Sequence, residues 1–242
     1  MFAYDIVKLD INLFSHLYIK FDQGNALDTP SKAKSSELYT TSEGLDVGSS
    51  VMQGWRLEME DSHVMLDMPS KPDHTFLAVF DGHGGSDTAI FAASNLINTI
   101  EQTSYWQQYV KTGASDISLL GRALSQSFID MDDLLREKQN NDTRNLSGCT
   151  CISAMITPRF IMCANIGDSR CVIGTNKLAK AMSEDHKPDN ELEQRRIELA
   201  GGTVQWKRVD GDLGVARAFG DFRFKNRSDL GPTEQKVTTF FM

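Results

Sequence analysis

Residues 74–85 read HTFLAVFDGHGG, and this stretch limits the fold more than any other. A continuous apolar run of this kind is the pattern of a central strand buried on both faces. It ends abruptly at Asp81, and Gly82, His83, Gly84 and Gly85 follow. A carboxylate at the exit of a buried strand costs free energy unless something pairs with it. A metal ion is one such partner, and Gly82 lets the backbone come close enough to offer its carbonyl. An aspartate capping a glycine turn is the other reading, and the motif alone does not separate the two.

The segment WRLEMED, residues 55–61, bears on that choice. Read as a strand, it places Arg56, Glu58 and Glu60 on one face and Trp55, Leu57, Met59 and Asp61 on the other. The apolar members point to the core, which leaves a guanidinium and two carboxylates together on the open face. By itself this is also the pattern of a solvated face with a surface ion pair. Taken with Asp81, it suggests hard oxygen ligands for magnesium or manganese. An arginine beside them suits a tetrahedral oxyanion such as phosphate. His83 stands two residues past Asp81, where it can protonate a leaving oxygen. NIGDSR, residues 165–170, adds Asp168 at a strand-to-strand connection.

The remaining pattern sets the fold class. Residues 1–24 read as a strand or an extension, and 25–48 as a polar Ser/Thr-rich loop. After the glycines, Ala89, Ile90, Ala93, Leu96, Ile97 and Ile100 recur at helical spacing, with Ser86 or Asp87 as N-cap. A second helix starts near Ser115 or Asp116 and carries the stripe Leu120, Leu124, Phe128, Met131 and Leu135, until the polar EKQNNDTRNLSG ends it. The period then returns to two, with turns at Thr157-Pro158, Thr175-Asn176 and Asp210-Gly211. Asn190 with Glu193 opens a short third helix that Gly201-Gly202 closes. Strands, then helices, then strands make an α+β layout of antiparallel sheets covered by helices.

Charge and cysteines narrow the function. The chain has 242 residues, enough for one domain with a substantial core, and a net charge of −8. That balance argues against coating nucleic acid or an anionic membrane. Asp5, Lys8, Asp10, His16 and Lys20 interrupt the apolar N-terminus, so the expectation is a cytoplasmic or nuclear protein without a membrane span. Cys149, Cys151, Cys163 and Cys171 lack zinc-site spacing and read as buried free thiols in a reducing compartment.

Several segments together carry a family resemblance. QGWRLEMEDSH, VFDGHGGS, SGCTCISAMI, ANIGDSRCVI, EDHKPDNELEQRRIELAGGTV, RVDGDLGVARAFGDFRFK and GPTEQ occur in this order. They resemble the metal-dependent serine/threonine protein phosphatases of type 2C. The resemblance implies a β-sandwich flanked by helices, with two metal ions at one end. It implies Glu60 and Asp81 as metal ligands, Asp81 bridging both ions, and the Gly82 carbonyl as a further ligand. Asp61 would hold metal-bound water, Arg56 would bind the substrate phosphate, His83 would be the general acid, and Asp168 would serve a third metal. A mobile flap would run from VARAFGDFRFK through GPTEQ. The implied reaction is hydrolysis of phosphoserine and phosphothreonine in proteins by water activated at a binuclear Mg/Mn site. The implied partners are phosphoprotein substrates, and the protein would be a monomer.

The departures from the family pattern lie at the ends. Residues 1–45 are an extension, 46–237 a partial phosphatase domain, and 238–242 a tail unlike the family. The family's two later aspartate motifs do not occur before the tail, so the sandwich is expected to lack its C-terminal strands and helix. One ion keeps Glu60, Asp81 and the Gly82 carbonyl, and the other keeps only Asp81. The expectation is therefore a weak or inactive phosphatase. The alternative is a truncated pseudophosphatase that binds phosphoproteins through Arg56 and one metal.

Overall fold

The computed structural model describes residues 26–139, 146–175 and 178–241. The first strands are β1 (Ser31–Thr40), β2 (Asp46–Gly54), β3 (Ser62–Met68), β4 (Lys71–Phe80) and β5 (Gly82–His83). Three helices follow: α1 (Asp87–Gln102), α2 (Ser104–Lys111) and α3 (Ile117–Lys138). The second half carries β6 (Gly148–Cys149), β7 (Cys151–Ile156), β8 (Ile161–Ile166), β9 (Val172–Thr175) and β10 (Leu178–Ala181). Then come α4 (Glu191–Leu199), β11 (Val204–Gln205), β12 (Arg208–Val209) and β13 (Phe219–Gly220).

The central sheet has the order β3-β4-β7-β8, antiparallel throughout. One face carries Val64, Phe76, Ala78, Phe80, Met155 and Ala164, all buried. Against it pack Leu96 and Ile100 of α1 and Leu120, Leu124, Phe128 and Met131 of α3. The α3 stripe is the one the heptad-like spacing predicts, and Asp116 caps that helix by accepting a 2.9 Å bond from the Ser118 amide. The expected α1 stripe is corrected at Ile90, which is 53% exposed, while Ala92 is fully buried. The sequence pattern does not reveal α2, because only Trp106 and Tyr109 of its eight residues are buried. These two rings pack on His74, whose Nε2 lies 2.8 Å from the Tyr109 hydroxyl.

β4 is buried on one face, not two. Val79 is 45% exposed and Leu77 half-buried. α1 and α3 pack on the Phe76 side, so Leu77 and Val79 on the other face keep water contact. Residues 31–40, expected in a polar loop, instead form β1, which pairs with β2 from Thr40↔Asp46 outward. β1 is nearly all exposed, so two-sided polarity hid a real hairpin from a burial-based reading. The hairpins at Thr157-Pro158 and between β9 and β10 form as expected, although Asn176 lies outside the described residues. So do residues 1–24 and most of the polar stretch that follows α3. At 203–213 there are two tight reversals. Trp206 and Lys207 turn β11 into β12, and Asp210 and Gly211 turn again beneath the Val209↔Leu213 bridge. All four have positive φ, as a type I′ reversal requires.

A second apolar cluster gathers Ile197, Val209, Val215, Ala216, Ala218, Phe224 and Val237. Charged groups tie it down: Glu193 pairs with Arg196 and Arg217, and Arg217 also donates to the Phe240 carbonyl at 2.7 Å. Residues 238–241 of the expected tail are packed. Thr238 and Thr239 are buried, the Ala218 amide donates to the Thr238 carbonyl, and the Phe241 ring sits 4.9 Å from that of Phe128. Cys149 and Cys151 are buried as expected, but Cys163 and Cys171 are only half-buried. Cys163 lies on β8 opposite Ala154, and Cys171 follows the loop beyond β8, both away from the sheet face on which α1 and α3 pack. Among the described residues, no helix is long and apolar enough to cross a membrane.

Candidate active site

The end of β4 and the turn before β3 meet at a single place, and a glycine makes the meeting possible. A Cβ on Gly82 would sit 2.2 Å from the Glu60 carbonyl oxygen. No other residue allows that approach. Gly82 in turn pairs with Cys149 in the three-stranded sheet β13-β6-β5, and the Asp81 carbonyl accepts from the Thr150 amide at 2.9 Å. The loop after Gly84 and Gly85, both at positive φ, brings the Gly85 amide to 2.6 Å from Glu60 Oε1.

The segment 55–61 is not a strand. β2 stops at Gly54 with φ of +66°, and Gln53 closes the turn by donating to the carbonyls of Arg56 and Leu57 at 2.9 Å each. Trp55 and Leu57 are therefore exposed, at 58% and 53%, and do not reach the core. The pairing of Arg56 with Glu60 survives by a different route. The turn places Arg56 Nη2 2.9 Å from Glu60 Oε2, while Glu58 stays exposed and takes no part. Glu60 thus holds Arg56 with one oxygen and the Gly85 amide with the other.

Asp61 and Asp81 stand close to this pair and repel each other. Loss of water around Asp61, then the Asp81 charge, raises its pKa to about 6. Asp81 is open to solvent on one side yet closely ringed on the other. Desolvation leads its upward shift, followed by the charge of Asp168. Asp168 lies on the loop after β8, where Gly167 exchanges hydrogen bonds with His186 in both directions. Its carboxylate is paired with the Lys187 ammonium. A lysine so placed puts positive charge where the carboxylates call for it.

His83 has a partner that sequence reasoning missed. Its Nε2 lies 2.8 Å from Asp221 Oδ2. Burial alone would lower the His83 pKa, but the hydrogen bond and charge of Asp221, with Asp81 and Glu60, reverse this and raise it. Asp221 is buried in a left-handed conformation, with φ of +53°, and its Oδ1 has no partner among the described residues. Gly148 packs so tightly on this pair that a Cβ there would meet Asp221 Oδ2 at 2.2 Å. Asp132 of α3 fixes the segment from behind, accepting from the Gly220 amide and from Lys225, both at 2.8 Å. The stretch expected as a flap is therefore corrected in its first part. Ala216, Ala218, Phe219, Asp221 and Lys225 are buried, and β13 pairs with β6. The only sequence signal for Asp221 is an aspartate after a glycine in a late apolar segment, which reads as a turn.

Among the described residues, no three His, Cys, Asp or Glu side chains converge as a closed metal cluster. The donors still fit a hard divalent cation in kind and charge. They are carboxylates and a carbonyl, and after desolvation the Asp81 charge pushes the Asp61 pKa upward while the Asp168 charge pushes that of Asp81.

The fold is that of a phosphatase. A solved serine-threonine phosphatase 2C from Toxoplasma gondii matches 89% of this chain and 75% of its own, with a TM-score of 0.66 at 19% identity. The protein phosphatase 2C family model matches residues 45–239, and the chain belongs to that family. A probable protein phosphatase 2C of Caenorhabditis elegans is 38% identical over 221 residues, which is 90% of this chain and 58% of the relative. Human protein phosphatase 1A is 37% identical over 220 residues, 89% of this chain and 56% of its own. The chain spans about half the length of the curated relatives it matches.

Proposed function

We propose that this chain carries the phosphate-binding and acid side of a centre that hydrolyses phosphoserine and phosphothreonine in proteins. The observation that carries the reading is the junction of Arg56, Glu60 and Gly85 beside Asp81, built around Gly82. Magnesium or manganese held by Glu60, Asp81 and the Gly82 carbonyl would supply positive charge to a phosphoryl group and lower the pKa of water there. Arg56 is well exposed at its guanidinium and already aimed at the carboxylates, so a phosphate can replace Glu60 as its partner. His83 keeps its proton on the Nε2 side through Asp221, which leaves Nδ1 to exchange a proton with the leaving oxygen. Asp61, raised to about 6, is suited to hold a water by hydrogen bond near neutral pH.

A second reading has its own support. Both Glu60 oxygens are engaged and Asp168 is paired with Lys187, so the carboxylates are not assembled for two ions. This favours a phosphoprotein-binding module with weak or no turnover. Release of phosphate from a phosphothreonine peptide by the 242-residue chain, with and without manganese, separates the two. Manganese-dependent turnover that Arg56→Ala abolishes supports the enzyme. Peptide binding that depends on Arg56 without turnover supports the module, and a chain that shows neither turnover nor Arg56-dependent binding overturns both readings.

A further inference from the structure

The turn that aims Arg56 at Glu60 also displays two apolar side chains. β2 ends at Gly54, and the backbone of the next three residues is tied down. The Trp55 carbonyl accepts from the Leu27 amide at 2.9 Å, the Arg56 amide donates to the Gln53 carbonyl at 3.4 Å, and Gln53 Nε2 donates to the carbonyls of Arg56 and Leu57. On this fixed backbone Trp55 and Leu57 are more than half exposed, and so is the Arg56 side chain between them. A single exposed apolar side chain is common and needs no explanation. Leu38 is one, opposite Gly48 on the β1–β2 hairpin and about 20 Å along β2 from Gly54. Trp55 and Leu57 differ in where they stand. Each is the immediate neighbour of the side chain that the proposed function assigns to phosphate, and the turn has already ordered both. Neighbouring Cα atoms are about 3.8 Å apart, so the Trp55 and Leu57 Cα atoms lie within about 7 Å of each other. An extended peptide advances ~3.3 Å per residue, so side chains one or two positions from a phosphoresidue stand about 3–7 Å from it. The two spacings match.

We propose that Trp55 and Leu57 determine specificity: they receive a bulky apolar side chain one or two positions from the phosphoresidue of an extended peptide, while Arg56 holds the phosphate. The proposal rests on Arg56 as the phosphate ligand. That ion pair is the same for every phosphopeptide, so it supplies strength without choice. Choice comes from the apolar area that the flanking residue removes from water. An indole serves this well, because it is large and rotates about only two bonds, so little entropy is lost on contact. Glu58 is exposed in the same segment and is the group that a basic flank would seek instead. An apolar and a basic preference are therefore opposed outcomes that one experiment can tell apart.

The test measures binding rather than turnover, on the 242-residue chain with manganese present. Labelled peptides carry a phosphonate mimic of phosphothreonine, which is not hydrolysed, with leucine, serine or lysine at the positions on either side. Fluorescence anisotropy should show the leucine peptide bound on the order of tenfold more tightly than the serine peptide. The ratio should fall toward one in Trp55→Ala and fall in part in Leu57→Ala, while Leu38→Ala, equally apolar and exposed but distant, keeps it. Equal binding of the leucine and serine peptides, tightest binding of the lysine peptide, or a preference that survives in both Trp55→Ala and Leu57→Ala each overturns the proposal. Arg56→Ala separates this proposal from the reading beneath it. Peptides that need Arg56 but show no flank preference sink the specificity proposal alone. Peptides that bind equally well without Arg56, or do not bind at all, sink the phosphate reading and the proposal with it. Should Trp55→Ala not fold, Leu57→Ala and the three peptides on the unsubstituted chain still decide the matter.

Discussion

Replacing Gly82 by alanine tests the geometry on which the site is built. The new Cβ would stand 2.2 Å from the Glu60 carbonyl oxygen and 3.0 Å from the Glu60 carbonyl carbon and Cβ. The first contact is about 1 Å short of ordinary van der Waals separation, and its partner is backbone rather than a flexible side-chain tip. Gly82 cannot retreat, because it is paired with Cys149 in the sheet and Asp81 is tied to Thr150. Glu60 must move instead, and its bonds to Arg56 and the Gly85 amide loosen with it. Overpacking of this kind costs about 1–3 kcal/mol. Urea unfolding should show that loss as a lower midpoint with an unchanged slope. Gly174→Ala is the control, since nothing lies within 4 Å of its Cβ position, and it should stay within about 0.5 kcal/mol of the unsubstituted protein. If Gly82→Ala is as stable as that control and binds manganese equally well, Glu60 and the Asp81 loop are not locked together and the reasoning fails.

Other consequences follow from the supports behind the site. Lys225→Met leaves Asp132 buried without its cation and should cost about 3–5 kcal/mol in thermal or urea unfolding; a loss under about 1 kcal/mol would mean that Asp132 is held by Gly220 alone. Phe241→Ala opens the contact with Phe128 and should cost about 2–4 kcal/mol, below the full core value because the ring sits at the edge of the cluster; an unchanged midpoint would show that the C-terminal residues do not pack as described. Desolvation, then Arg217, lowers the His186 pKa to about 4. A depressed folded pKa gives stability that is complete above the unfolded value, about 6.5, and is lost as pH falls toward 4. His186→Gln should therefore narrow the drop in unfolding midpoint between pH of about 7 and about 4.5, and an identical drop in both proteins would refute the assignment.

Much of the site was legible because close approach leaves marks in sequence. Asp81 followed by glycines declares a strand end where backbone must come near something, and Gly82 against Glu60 is that approach. Arg56 and Glu60 were paired for the wrong reason. Alternation suggested one face of a strand, but the Gly54 turn and Gln53 bring them together across a loop. Asp221 was not legible. It reaches His83 from 138 residues away, and long-range pairing has no local period. The α3 stripe was readable because five buried residues repeat at helical spacing. α2 was not, because its two anchors meet His74 rather than a stripe of their own. β1 escaped for the opposite reason, being a hairpin arm with water on both faces.

The central claim is that Asp81 and its neighbours gather negative charge for a divalent cation. Isothermal titration of manganese into the unsubstituted chain and into Asp81→Asn tests it most directly. The account predicts measurable uptake that weakens on the order of tenfold or more when Asp81 loses its charge. Equal uptake by both proteins would contradict it.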